Sequence, residues 1–324
     1  MQQGTLFALQ FPKLNNNRTM KTYNNEEACA QAFAALGPCY HLWTPDCFEV
    51  IFTSEDDFKA GMTIIGICAK MVPDVRILTF EIMSNHIHMA VAGSESRIAV
   101  LFNLIKSFLI KWSRASGRSL KWKEFNASTR LVTTLEDIRN VIAYINRNGF
   151  VVTPSCTPFS FRWGANRFFY NPDARKAAAL ESGTLTLRER QRATRSRKAD
   201  GVGGLLKFEG CALTLSFCDI DAGEKLFRSA SHYFFKISRS VESSKSIASE
   251  LSEKVFCTDD ELFAAVSMTC HKKFGTGLPS RIPAEAKVDI AKMMHYEYNA
   301  TRKQIARILK LSPALLETMF PQIE

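Results

Sequence analysis

Several signatures that would settle a function class are missing from this chain. None of its nine cysteines stands in a Cys-x-x-Cys pair, and nine is an odd count, so neither a disulfide framework nor a thiolate zinc site is indicated. Reduced thiols in a cytoplasmic setting fit that usage. No stretch approaches the ~18 consecutive apolar residues of a membrane span. The opening MQQGTLFALQFPKLNNNR lacks the basic start and long apolar run of an export signal. The expectation is a cytoplasmic protein that meets no membrane. Acidic residues are also in deficit, with 32 Asp and Glu against 42 Lys and Arg and a formal charge of +10. That excess favours a polyanion, nucleic acid first, although a solvated cationic surface with no ligand has the same composition. What is present is ordinary globular material, 46% hydrophobic and 23% charged, and 324 residues suffice for two cores.

Strand and helix signals alternate through the first half. From Cys39 to about Phe52, aromatic and β-branched residues broken by Pro45 and Asp46 read as one strand or a short hairpin. Ser54 followed by Glu55, Asp56 and Asp57 starts a helix, because a hydroxyl satisfies open backbone N–H groups and acids suit the positive end of the dipole; it runs to about Met71, and Pro73 stops it. Val75 to Ile82 and Ile87 to Val91 flank the turn Met83-Ser84-Asn85 as a β-hairpin. Ser94 and Glu95 open a second helix carrying Ile98, Leu101, Phe102, Ile105, Leu109 and Trp112 at helical spacing, fading at Ser116-Gly117. Arg130 to Thr133 reads as a short strand. A third helix, Leu135 to Asn148, ends before Gly149.

The order β-α-β-β-α-β is the ferredoxin-like arrangement, a four-stranded antiparallel sheet with two helices on one face. The expected class is therefore α+β, with one extra helix and then an α-helical C-terminal domain. Residues 1–175 form the first unit, 176–250 a basic connector and an uncharacterised segment, and 251–324 the helical domain. The connector holds Arg188, Arg190, Arg192, Arg195, Arg197 and Lys198 beside Gly201, Gly203 and Gly204. Those cations suit phosphates, or equally a solvated charged helix. Ala212 to Phe217 reads as strand-like, with an amphipathic helix after it. Thr258 with Asp259, Asp260 and Glu261 starts a helix to Phe274. Thr301 and Gln304 form a capping box for a short helix, and Ser312-Pro313 caps another, with Ile305, Leu311 and Leu316 as a small core and Ala306 allowing close crossing. Two short helices and a tight turn make a helix-turn-helix pattern, which Arg302, Lys303, Arg307 and Lys310 would suit to DNA. A plain helical bundle has the same pattern.

Two groups of residues carry chemistry. His86 and His88, two apart on a strand, project from one face while Ile87 and Met89 take the other, so two imidazoles converge as a divalent cation requires; two polar residues on a solvated strand face would read the same. Tyr144 and Asn148, four apart on a helix, lie on one side at the edge of the apolar stripe. An amphipathic tyrosine packed on the sheet is the alternative.

Met83-Ser84-Asn85-His86-Ile87-His88-Met89-Ala90-Val91 resembles the hairpin of single-tyrosine HUH transposases, in particular the branch associated with repetitive extragenic palindromes, whose usual wording is M-P-N-H-V-H. Tyr144-Ile145-Asn146-Arg147-Asn148-Gly149 is similar to that family's Y-I-x-x-N-P, and Pro154, Pro158, Phe159 and Ser160 resemble its following proline-aromatic segment. The likeness covers about residues 39–172, with Ser84 and Gly149 where proline is usual.

The resemblance implies a transposase that cleaves and rejoins single-stranded or hairpin DNA. Tyr144 would be the nucleophile and form a 5′-phosphotyrosine. His86, His88 and Asn148 would hold a divalent metal, Mg or Mn. Lys106, Lys111, Arg114, Lys121 and Lys123, with Trp112 and Trp122, would line the DNA approach, or else be a solvated surface over core tryptophans. Arg188, Arg190, Arg192, Arg302, Lys303 and Arg307 complete the expected DNA contacts. The oligomer would be a monomer or homodimer. The alternative function is a non-cleaving DNA-binding regulator of the same descent.

Overall fold

Several helix starts follow capping side chains, although Ser94 makes no cap bond at the start of its helix. A computed structural model describes residues 25–45, 49–152, 160–239, 257 and 259–321. In it, Ser54 Oγ accepts the N–H of Asp57 at 3.3 Å and opens α2 (Glu55–Met71). An earlier helix, α1 (Glu26–Ala34), was not expected; Asn25 caps it by accepting the N–H of Ala28 at 2.7 Å. The expected cap at Thr258, and Pro154, Pro158 and Phe159, lie outside the described residues.

The first strand, β1 (Cys39–Trp43), is shorter than its aromatic run. Beyond it Ile51 and Phe52 donate backbone N–H groups to the Ser84 carbonyl at 2.8 and 2.9 Å, so this stretch braces the turn before His86 instead of forming a hairpin of its own. The remaining strands are β2 (Arg76–Ile82), β3 (Ile87–Ala92) and β4 (Ser128–Val132), with α3 (Glu95–Ala115) between the last two. The sheet is antiparallel in the order β2-β3-β1-β4. Alternation sorts its faces. Leu42, Phe80, Ile82, Ile87, Met89 and Val91 form a buried apolar face, covered by α2 with α3 beside it. The other face carries His41, Trp43, Thr79, Glu81, His88 and Arg130, as the pairings Glu81–His88, Trp43–His88 and His41–Arg130 require.

Across this polar face lies α4 (Leu135–Val152), which continues past its expected end at Asn148. Gly149 is not in the left-handed conformation that would stop a helix there. Its N–H donates to Glu81 Oε2 at 2.8 Å, and its missing side chain leaves room for the Phe161 ring. Glycine serves close packing here, not termination.

The stretch expected as a connector is folded. It contains α5 (Pro172–Glu181), α6 (Leu187–Thr194) and a three-stranded sheet of β5 (Gly183–Thr184), β6 (Leu206–Phe208) and β7 (Cys211–Ala212). A Thr186–Glu189 capping box starts α6, which packs on α2 and α3. The charge pattern concealed this because the apolar anchors, Leu185, Ala193 and Ala199, are few and small. Residues 214–216 form a 3-10 turn where a strand was expected, and α7 (Ile220–Lys225) and α8 (Ala230–Arg239) follow.

The C-terminal part is helical: α9 (Asp259–Phe274), α10 (Ala284–Tyr298), α11 (Arg302–Leu309) and α12 (Pro313–Met319). Thr301 and Gln304 form the expected capping box, Lys310 turns the chain at φ 55°, and Ser312 caps α12. Ile305, Ile308, Leu309 and Leu316 are buried between these helices, and Leu311 is half-buried. The whole is an α+β protein with a small antiparallel sheet and many helices. Among the described residues no helix is long and apolar enough to cross a membrane. The seven described cysteines are all free and buried.

Candidate functional site

The polar sheet face brings together the side chains that the sequence separates by up to a hundred residues. His86 precedes β3 and is half-buried, whereas His88 within the strand is fully buried. Their rings lie 4.9 Å apart and perpendicular. Tyr144 on α4 meets His88 edge-on, with ring centroids 5.5 Å apart, and is only 4% exposed. Sequence reading had overlooked His41 on β1. Its Nε2 lies 3.3 Å from His88 Nδ1, and its ring is 6.0 Å from Tyr144.

Burial sets the protonation of this cluster. Desolvation pushes His41 down to about 3, helped by the Arg130 charge on the neighbouring strand. His88 is held well below the usual histidine range, chiefly by desolvation and then by His86 and His41. Both rings are therefore neutral near pH 7, and a neutral imidazole keeps the lone pair that a metal needs. His86 Nδ1 lies 2.8 Å from Asn85 Oδ1 and His88 Nδ1 lies 3.3 Å from His41 Nε2, so Nε2 of each is the ring nitrogen that would face a cation. Tying the second ring nitrogen in this way is how metal-ligating histidines are oriented. The donor set thus fits a divalent cation. Asn148 is half-buried. Among the described residues no three or more His, Cys, Asp or Glu side chains are grouped to hold a metal, so amide or solvent oxygens would complete the shell.

Glu81 is the second residue that sequence reading passed over. It pairs across the sheet with His88, is fully buried, and burial raises its carboxyl well above the usual range despite the N–H received from Gly149. Its Oε1 has no hydrogen-bond partner among the described residues. Nearby, Asn146 takes the hydroxyl of Thr79 and donates to Tyr233 Oη at 2.8 Å, while its carbonyl accepts from Asn166 at 2.7 Å. These bonds hold α4 between the sheet and α8. A signal for both missed residues exists: a polar side chain set within an otherwise apolar strand, as His41 is between Tyr40 and Leu42 and Glu81 is between Phe80 and Ile82.

The cations expected to contact DNA are dispersed. Lys106 donates to Asn126 at 2.9 Å, Lys111 donates to Ser196 at 3.1 Å, and Arg114, Lys121 and Lys123 are exposed. Trp112 and Trp122 are buried, with indole N–H groups on Asp57 and Ser113, so neither offers a face to a base. Arg188 and Arg192 are exposed, but Arg190 is turned inward onto the carbonyls of Leu185 and Asp200. In the C-terminal helices Arg302 is half-buried, Lys303 is exposed, and Arg307 is paired with Asp259. None of these adjoins the His–Tyr cluster through a contact described above. No protein-family model, no curated protein and no solved structure matches this chain.

Proposed function

We propose that the chain is a metal-dependent DNA nickase and strand transferase on a ferredoxin-like sheet. The observation that carries this reading is the edge-on approach of Tyr144 to His88, 5.5 Å between ring centroids, with His86 just before β3 and Asn148 on α4. The strand order β2-β3-β1-β4 supports the ferredoxin-like description, and the α11–α12 pair supports a helix-turn-helix. The net charge of +10 supports a nucleic-acid substrate.

A Mg or Mn ion on His86, His88 and Asn148 would supply Lewis-acid stabilisation of charge on the scissile phosphate. Tyr144 Oη attacks phosphorus; the new O–P bond forms as the P–O3′ bond breaks, and the phenolic proton passes through solvent to O3′. The products are a 5′-phosphotyrosine and a 3′-hydroxyl, and the adduct keeps the bond energy needed for rejoining. His41 fixes the His88 ring. Tyr144 is only 4% exposed and His88 is fully buried, whereas His86 is half-buried, so DNA would approach from the His86 side.

That burial also favours a second reading, a DNA-binding regulator that does not cleave. Incubation with labelled single-stranded hairpin oligonucleotides, with Mg, Mn or chelator, separates the two. A metal-dependent covalent band that disappears in Tyr144→Phe is expected. DNA binding with no band over a broad pool of flanking sequences would transfer the assignment to the regulator.

A further inference from the structure

Arginines in this protein fall into two populations. From Arg76 to Arg175, every arginine except Arg114 is paired with an Asp or Glu side chain. Arg188, Arg195 and Arg197, together with Arg114 and Lys198, are exposed and have no carboxylate partner among the described residues. Two acids close to them are occupied: Glu189 is held by Lys207 at 2.7 Å and by its own cap, and Asp200 by Gln191 at 2.9 Å. Asp56 shares a cleft with Arg192 and Trp112 and offsets part of the charge on that side.

Four of these cations, Arg114, Arg195, Arg197 and Lys198, adjoin one another, whereas Arg188 stands at the other end of α6. The Arg195 guanidinium lies over the Trp112 ring at 5.2 Å, and Lys111 bonds to Ser196 at 3.1 Å, so the turn after α6 is fastened to the end of α3. Arg114 lies within one turn of both anchors on α3, and Arg197 and Lys198 follow directly after Ser196. Like charges held together repel one another until a polyanion neutralises them.

The aromatic residues beneath decide which polyanion. Surfaces that hold single strands interleave cations with exposed rings for base stacking. Phe108 and Trp112 are instead buried, so this surface offers charge and no stacking platform. Charge alone matches the regular phosphates of a double helix. The surface belongs to the α2–α3 layer, on the sheet face opposite His88 and Tyr144.

We infer that the end of α3 together with α6 and its following turn docks the phosphate backbone of double-stranded DNA, at a place distinct from the His–Tyr cluster. This goes beyond the nickase reading and does not need Tyr144. The test uses full-length Tyr144→Phe protein without metal, so that covalent chemistry plays no part. A fluorescent duplex of about 20 base pairs is titrated across a salt series beside a single-stranded oligothymidine of the same length. A second protein adds Arg114→Gln, Arg197→Gln and Lys198→Gln, three exposed positions with no partner to lose; matching thermal midpoints establish that it is folded.

Weaker duplex binding is expected, with a log affinity–log salt slope shallower by about 2–3, since each phosphate contact contributes roughly 0.9. An unchanged slope overturns the inference. So does an equal loss on oligothymidine, which would mark a single-strand groove, or a loss confined to anionic phospholipid vesicles, which would mark a lipid surface. Covalent capture of short single strands by the parent protein, with Tyr144 intact and none of the three substitutions, reports on the nickase reading alone. A missing adduct with a shifted duplex slope leaves the docking face standing.

Discussion

At Gly149 an added methyl carbon would lie 2.2 Å from the Phe161 ring, far inside contact distance. The ring cannot yield freely, because Phe161 is itself buried. Gly149→Ala should therefore destabilise the fold by about 1–3 kcal/mol through overpacking, seen as a lower urea midpoint with an unchanged slope. A midpoint equal to that of the parent protein would show that Phe161 relaxes at no cost. Proline, which the resemblance would place here, fits less well still: it would also remove the N–H that Gly149 donates to the buried carboxyl of Glu81. The departure from the usual wording is thus matched to its surroundings, with Glu81 and Phe161 both shaped around a residue that has an N–H and no side chain.

Among the elements, α4 carries the most connections. It lies on the sheet through Asn146 and Gly149 and meets α8 at Tyr233, and Arg147 forms a buried ion pair with Glu261 of α9. Removing one partner of a buried pair strands the other charge. Glu261→Ala should cost about 3–5 kcal/mol in denaturant unfolding, and Arg147→Met with Glu261→Leu should recover most of it. A loss below ~1 kcal/mol in the single variant would mean that water reaches the pair. Sequence patterns exposed α2, α3 and the start of α4, because capping residues and apolar spacing are local signals. The reach of α4 to Val152 was hidden because Gly149 bears the mark of a helix end, and only the distant Phe161 gives it another use. His41 and Glu81 were hidden for a similar reason: their significance comes from strand register, which brings His41 on β1 and Glu81 on β2 to the two sides of His88.

For the whole molecule, buried ionisable groups set how stability responds to pH. His41 and His88 stay neutral in the folded chain, whereas their unfolded counterparts gain protons below about 6.5. Their contribution is present above that value and is lost as pH falls toward about 3 for His41. Glu81 and Glu224 have raised folded values, so theirs is present below the ordinary carboxyl range and is lost as pH rises. Between the ordinary carboxyl and histidine values, about 4.5 and 6.5, the two contributions offset one another, so stability should be flat there and fall on either side, with each buried group changing it by up to about 1.4 kcal/mol per pH unit inside its window. Denaturant midpoints measured between pH 5 and 8, as rough bounds, check this. Glu81→Gln should flatten the alkaline side and leave the acid side unaltered. A profile identical to that of the parent would mean that Glu81 is ionised in the folded chain.

The buried cysteines carry a consequence for handling the protein. Cys39 and Cys211 are pushed up to about 11, and Cys68 and Cys218 well above the usual thiol range, each chiefly by burial. Disulfide exchange runs through the thiolate, so these sulfurs are inert while the chain stays folded. Every opening of the core removes that protection and presents several ordinary thiols at once. Oxidation then becomes a ratchet, since a mismatched crosslink formed during a brief excursion blocks the way back. The shelf life of the purified protein is set by how often it unfolds and by whether reductant is present when it does.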